Sequence, residues 1–205
     1  MDQLILSFDR AARTLSGAAA ARRPSPRGQT ADESMTDAER KKSISLMRIN
    51  HAGEVAAQAL YQGQALVSRS PELRKKLDHA ADDELDHLVW TRQRVHELGG
   101  RTSLLDPFWY AGALVMGATA GVLGDKASLG FLQATEEQVE AHLASHLDAL
   151  PASDKPSRAI VEQMKRDEAS HAQTARDLGA RELPLPIQGL MRLGSRVMTT
   201  LAGKI

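Results

Sequence analysis

Two pentapeptides, Asp83-Glu84-Leu85-Asp86-His87 and Asp167-Glu168-Ala169-Ser170-His171, each place a carboxylate three residues before an imidazole. On a helix, residues three apart share a face, so each pair can present an oxygen and a nitrogen to one point. No other His in the chain follows a Glu at that distance. One such pair on a charged helix is usually a solvated ion pair. Two copies, each preceded by Asp and each inside an apolar helical pattern, point instead to ligation of metal ions.

The surrounding residues put these groups where a core should be. Leu73, Leu77, Ala80, Glu84, His87, Thr91, Val95 and Leu98 alternate at three- and four-residue steps, as do Val161, Met164, Glu168, His171, Ala175 and Leu178. Leu129, Leu132, Glu136, Val139, Leu143, His146 and Leu150 do the same. A buried carboxylate without a partner is costly, so several together call for cations.

Glu54, in a helical run where it flanks a stripe of Leu46, Ile49, Gly53, Ala56 and Leu60, completes the set. Glu84 follows Glu54 by 30 residues and Glu168 follows Glu136 by 32, so each half of the chain repeats one helix pair. That separation lets two antiparallel helices bring their middles to one level at about 1.5 Å per residue. Two facing pairs then gather four Glu and two His, the pattern of dinuclear iron or manganese carboxylate bundles. Four carboxylates balance two divalent cations. Glu54, Glu84, His87, Glu136, Glu168 and His171 are therefore the candidate ligands, with Glu137 and Glu140 competing with Glu136 and Glu140 its fallback. Asp83 and Asp167 are placed to accept the free imidazole N–H of His171 and His87, respectively. Tyr61, one heptad after Glu54, reads as packing ahead of redox chemistry; His79, His96 and His146 read as structural or surface residues.

Composition narrows the function. Lys and Arg total 26 and Asp and Glu total 26, which gives no bulk positive charge for a nucleic-acid backbone. Cysteine is absent, removing disulfides, thiolate chemistry and cysteine-held clusters. Aromatic residues are 3% and no period-two alternation stands out, so the class is all-α. Residues 1–16 read as an amphipathic segment, 17–34 as a flexible linker rich in Ala, Arg, Pro and Ser, and 35–205 as a single domain. Helices are expected from about Asp37 to Ser68, from Pro71 to the Gly99-Gly100 pair, from Asp125 to near Pro151, and from a Ser153 or Asp154 cap to Gly179.

The runs LMRINHAGEVAAQALYQGQAL, DELDH, ATEEQVEAHL and DEASH resemble the Coq7 family of demethoxyubiquinone hydroxylases, over roughly residues 44–205. The Asn50-His51-Ala52-Gly53-Glu54 run is specific to that family; paired Glu-x-x-His motifs alone mark only the wider ferritin-like group. The resemblance implies a ferritin-like four-helix bundle with a di-iron centre on the same six residues, Glu84 and Glu168 bridging. It implies hydroxylation, with O2, of the ring of a 2-polyprenyl-3-methyl-6-methoxy-benzoquinol in ubiquinone biosynthesis. Electrons would come from NADH or the quinol, and no nucleotide-binding fingerprint is present. Partners would be a membrane surface and other proteins of ubiquinone biosynthesis, and the location the cytoplasmic face of a bacterial membrane, peripherally bound. Where the family often has His-Tyr after the third-helix Glu, this chain has His142-Leu143, leaving His142 as an outer neighbour of the site. The competing reading with the same ligands is a ferritin-like iron store or peroxide reductase; a third makes the metals structural.

A polyprenyl substrate lies in a bilayer, and two segments could reach it. Residues 107–124 carry no charge, hold four Gly, and are expected to cover the bundle and dip into the membrane interface. The C-terminal stretch puts Ile187, Leu190, Met191, Val197, Met198 and Leu201 on one face and Arg192, Arg196 and Lys204 elsewhere. That face could instead pack on its own domain or on a second copy in a homo-oligomer.

Overall fold

A computed structural model describes residues 2–28, 30 and 33–205. Among the described residues there are seven helices and no strand: α1 (Asp2–Ser16), α2 (Asp37–Val67), α3 (Pro71–Glu97), α4 (Asp106–Val122), α5 (Asp125–Ala149), α6 (Lys155–Asp177) and α7 (Leu185–Ala202).

Local chemistry sets the boundaries. Thr36 opens α2 with a capping box: its hydroxyl accepts from the Glu39 amide at 3.3 Å while the Glu39 carboxylate accepts from the Thr36 amide at 2.8 Å. Ser70 caps α3 through the Leu73 amide, and Asp154, one of the two expected caps, opens α6 through the Ser157 amide. Gly99 and Gly179, at φ 81° and 85°, turn the chain out of α3 and α6 through a backbone region that favours glycine.

Helices α2, α3, α5 and α6 form a four-helix bundle, with α2 against α3, α5 against α6, and α3 facing α6. The heptads of α3, α5 and α6 point inward almost as the spacing requires; Leu178, at the end of α6, is exposed. The stripe expected on α2 is displaced. Of the expected stripe only Leu60 is buried, while Leu46, Ile49, Gly53 and Ala56 are partly buried; the residues buried on the bundle side include Met47, Asn50, His51, Glu54, Gln58, Tyr61 and Ala65. The cause is α4, which packs along the outer side of α2, so α2 is covered from two directions and has no single apolar stripe.

Glycine allows that close approach. A Cβ on Gly117 would lie 2.1 Å from the Leu60 carbonyl, and one on Gly63 would lie 2.2 Å from the Leu114 carbonyl. The opposite side of α4 leaves Phe108, Val115, Met116 and Val122 exposed. Helices α1 and α7 also pack on α2 and expose apolar side chains: Ile5 and Phe8 on α1, Leu190, Leu193 and Val197 on α7. Among the described residues no helix is long and apolar enough to cross a membrane.

Candidate metal centre

The bundle brings all six residues chosen by spacing to one level, with Glu54 from α2, Glu84 and His87 from α3, Glu136 from α5, and Glu168 and His171 from α6. None of the four carboxylates is more than 3% exposed, so water cannot solvate them. Ligand-capable atoms of Glu54, Glu84, His87 and Glu168 lie within 4.8 Å of one another, and so do those of Glu84, Glu136, Glu168 and His171. Glu84 and Glu168 belong to both groups.

Hydrogen bonding fixes the imidazoles. His87 Nε2 lies 2.9 Å from Asp167 Oδ2, and His171 Nε2 lies 3.3 Å from Asp83 Oδ2. Each Asp thus serves the His of the other pentapeptide, which turns both Nδ1 atoms toward the carboxylates. His87 Nδ1 sits 3.4 Å from Glu84 and from Glu168 and 3.7 Å from Glu54. His171 Nδ1 sits 3.4 Å from Glu84 and 3.5 Å from Glu168. These contacts have no hydrogen-bond geometry: both Nδ1 atoms, both oxygens of Glu84 and one of Glu168 are buried without a hydrogen-bond partner. Five orphaned atoms converging on one space are what a cation would satisfy, and a set of carboxylate oxygens and imidazole nitrogens is compatible with two metal ions.

The protonation pattern shows the same imbalance. Burial, followed by the Glu84 charge, pushes Glu54 well above the usual carboxylate range, and burial with the Glu168 charge does so for Glu136. For Glu84 and Glu168 burial is outweighed by neighbours including both His, and both are held low. Burial would lower His87 and His171, but their Asp and Glu partners raise both. Burial thus opposes charge on the carboxylates while the acids favour charge on the imidazoles, a conflict that bound cations would relieve.

The neighbours divide clearly. Tyr61, buried, donates its hydroxyl to Glu136 Oε1. Glu137 faces out and pairs with Arg176, and Glu140 is partly buried and belongs to neither ligand group. His142 packs on the buried His146 with ring centroids 3.9 Å apart, and no hydrogen bond among the described residues joins it to the six. His146 is structural, its Nδ1 2.7 Å from Asn50 Oδ1. His79 is exposed. Sequence reasoning missed Arg23, Asp86 and Trp90, which cover one side of the cluster; the signal available was the extra acid that separates DELDH from DEASH. A cleft of about 410 Å³ opens beside Tyr61, Asp83 and His171, with Leu73, Leu77, Leu129 and Leu132 among its walls.

A helical bundle that buries four Glu and two His at its centre defines a ferritin-like fold with a cluster compatible with two metal ions. A solved bacterioferritin-related protein of Bacteroides fragilis, a dodecameric thioferritin, shares that fold with a TM-score of 0.56, covering 67% of this chain and 84% of that one at 18% identity. The profile of ubiquinone biosynthesis protein COQ7 matches residues 41–202, and the chain belongs to that family. Relatives named 3-demethoxyubiquinol 3-hydroxylase include that of Variovorax paradoxus, 57% identical over 100% of this chain and 98% of the relative. That of Azoarcus sp. is 53% identical over 100% and 99%. That of Chromobacterium violaceum is 54% identical over 97% of each.

Proposed function

We propose that this chain is a di-iron monooxygenase that hydroxylates the ring of demethoxyubiquinol, a 2-polyprenyl-3-methyl-6-methoxy-1,4-benzoquinol, with O2. The observation that carries this reading is full-length similarity, at 52% identity or more, to proteins named for that reaction. The ferritin-like neighbour, by contrast, shares the fold alone. Two irons would be held by Glu54, Glu84, His87, Glu136, Glu168 and His171, with Glu84 and Glu168 common to both groups. Once bound, they would supply two-electron activation of dioxygen, one oxygen going to the ring and the other to water.

The chain's own residues prepare the site. Asp167 and Asp83 hold the Nε2 protons of His87 and His171, which keeps each Nδ1 free for a cation. Tyr61 donates to Glu136, holding one carboxylate oxygen in place and leaving the other available. The cleft beside His171 and Tyr61, with leucines among its walls, is the candidate seat of the aromatic ring. Electrons would come from NADH or from the quinol.

A lipid-borne substrate requires contact with a membrane surface. Support comes from the exposed apolar residues of α1, α4 and α7, helices that all pack on α2, and from Arg192 and Arg196, exposed on α7 for anionic headgroups. The protein would then sit peripherally on the cytoplasmic face of a bacterial membrane, within reach of other ubiquinone-biosynthesis proteins or a second copy. Flotation with phosphatidylglycerol vesicles should carry the wild type up and leave a Leu190→Glu, Leu193→Glu variant behind; equal flotation of both would remove α7 from the contact.

The deciding experiment is quinone analysis by mass spectrometry in a strain lacking the gene. Accumulation of the demethoxy quinone, reversed by the intact chain and not by Glu168→Ala, is expected. A normal quinone pool in a strain with no second hydroxylase would shift the reading to iron storage or peroxide chemistry.

A further inference from the structure

The two pentapeptides differ at their third and fourth positions, and the fourth decides what lies outside them. Asp86 in the first copy corresponds to Ser170 in the second. The Asp86 side chain is 2% exposed, and its charge is met by the segment preceding α2. The amides of Arg22 and Arg23 donate to Asp86 Oδ1 at 2.6 and 3.4 Å, and Arg23 Nε donates to Oδ2 at 2.7 Å.

From that anchor the Arg23 guanidinium reaches both aspartates that hold the imidazoles. Nη1 donates to Asp167 Oδ2 at 2.9 Å, the same oxygen that receives His87 Nε2, and Nη2 lies 4.0 Å from Asp83 Oδ1. Its Cζ sits 5.0 Å from the centroid of the Trp90 ring, whose Nε1 donates to the Arg23 carbonyl at 3.3 Å. Trp90 in turn packs against the His87 ring. A planar fork with fixed donors suits such a bridge; a lysine ammonium does not.

We propose that Arg23 is a positioning residue for the metal centre, a bridge from the N-terminal strap that holds the Asp167–His87 pair in its ligating orientation and neutralises the acids around it. The inference rests on the metal reading above. It gives residues 17–28 a role in the site although they lie outside the bundle: the strap closes the cluster on the Asp86 side and leaves the cleft beside Tyr61 as the approach.

The test is anaerobic Co(II) titration of the full chain followed by visible absorption, with thermal melting alongside. The wild type is expected to bind two Co(II) per chain. Arg23→Gln should weaken binding by about tenfold, within the range for loss of an outer partner of a ligating His, and alter the d–d bands. Arg23→Lys should recover only part of the loss. Arg22→Gln, which removes a guanidinium paired with the outer Asp82 carboxylate, should bind like the wild type. If the strap is merely glue, Arg23→Gln will melt earlier but match the wild type in Co(II) affinity and spectrum, which overturns the proposal. A wild type that takes up no Co(II) would overturn the metal reading itself, so the two failures are distinct.

Discussion

Helices α3 and α6 meet at two buried charged clusters, and the two are built on opposite principles. Near one end, Arg94 of α3 donates from Nη2 to Asp154 at the start of α6 at 2.7 Å and from Nε to Ser157 Oγ at 2.9 Å, with both charged side chains fully buried. At the middle, Glu84 and His87 face Glu168 and His171 and leave five polar atoms without hydrogen-bond partners. The first cluster meets its charges within the protein: Arg94 pairs with Asp154 and, through Nη1 at 3.1 Å, with Glu97, and of the Asp154 carboxylate only Oδ2 lacks a hydrogen-bond partner. The second is matched only if something is added. Burial alone therefore does not mark a functional site; the mark is several buried, partnerless atoms converging on one space.

The comparison breaks most sharply at Arg94. Replacing it with Met leaves Asp154 charged and buried, and the metal-free chain should lose about 3–5 kcal/mol in urea unfolding. Metal bound per folded chain should not change. The effect is also pH-dependent. Burial opposes the charged form of Asp154, but bonds from Ser43 and Ser157 and the Arg94 charge outweigh it, holding the carboxyl below its ordinary 3.8. A depressed folded value contributes stability that is full above the unfolded value and is lost as pH falls through the folded one. The gap between wild type and Arg94→Met should hold from about pH 5 to 8 and shrink below about pH 4. A pH-independent gap would mean that Arg94 acts through packing alone.

The central cluster should respond in the other direction. Burial and the Glu84 charge push Glu54 well up. Glu54→Leu removes that cost with a side chain of similar size, so the metal-free chain should gain about 1–3 kcal/mol. With Fe(II) or Co(II) in excess the order should reverse, because the wild type alone gains binding energy from two ions. Loss of stability under both conditions would place Glu54 with Arg94 as a structural residue.

How much of this contrast can be read from sequence follows from the range of the interactions. Helix starts are local: Thr36 with Glu39, Ser70 before Pro71, and Asp154 before Pro156 are all legible from neighbouring residues. The gathering of Glu84, His87, Glu136, Glu168 and His171 is legible because their spacing and the heptads around them are periodic. The α2 stripe is not, since Gly63 and Gly117 let α4 cover a second face of α2, and a contact between helices more than 50 residues apart leaves no local pattern. Arg23 is hidden for the same reason: it lies in a segment without helical period, and its partners are more than 60 residues away.

The smallest expected effect separates neighbours in sequence. Glu136 and Glu137 are adjacent acids on α5, and spacing alone prefers the first without excluding the second. In the fold Glu136 is buried against Tyr61, whereas the Glu137 side chain is 42% exposed, 2.5 Å from Arg176 Nη2 and 2.8 Å from Gln133 Nε2. An exposed pair of this kind contributes little because water and salt screen it. Glu137→Gln should therefore shift stability by no more than about 0.5 kcal/mol and leave metal stoichiometry at the wild-type value. Glu136→Gln keeps the shape, removes one anionic ligand, and should lower the stoichiometry. Parallel titrations decide the point: a fall in metal content on changing Glu137 would mean that α5 presents a different face to the centre, and the assignment of Glu136 would have to be withdrawn.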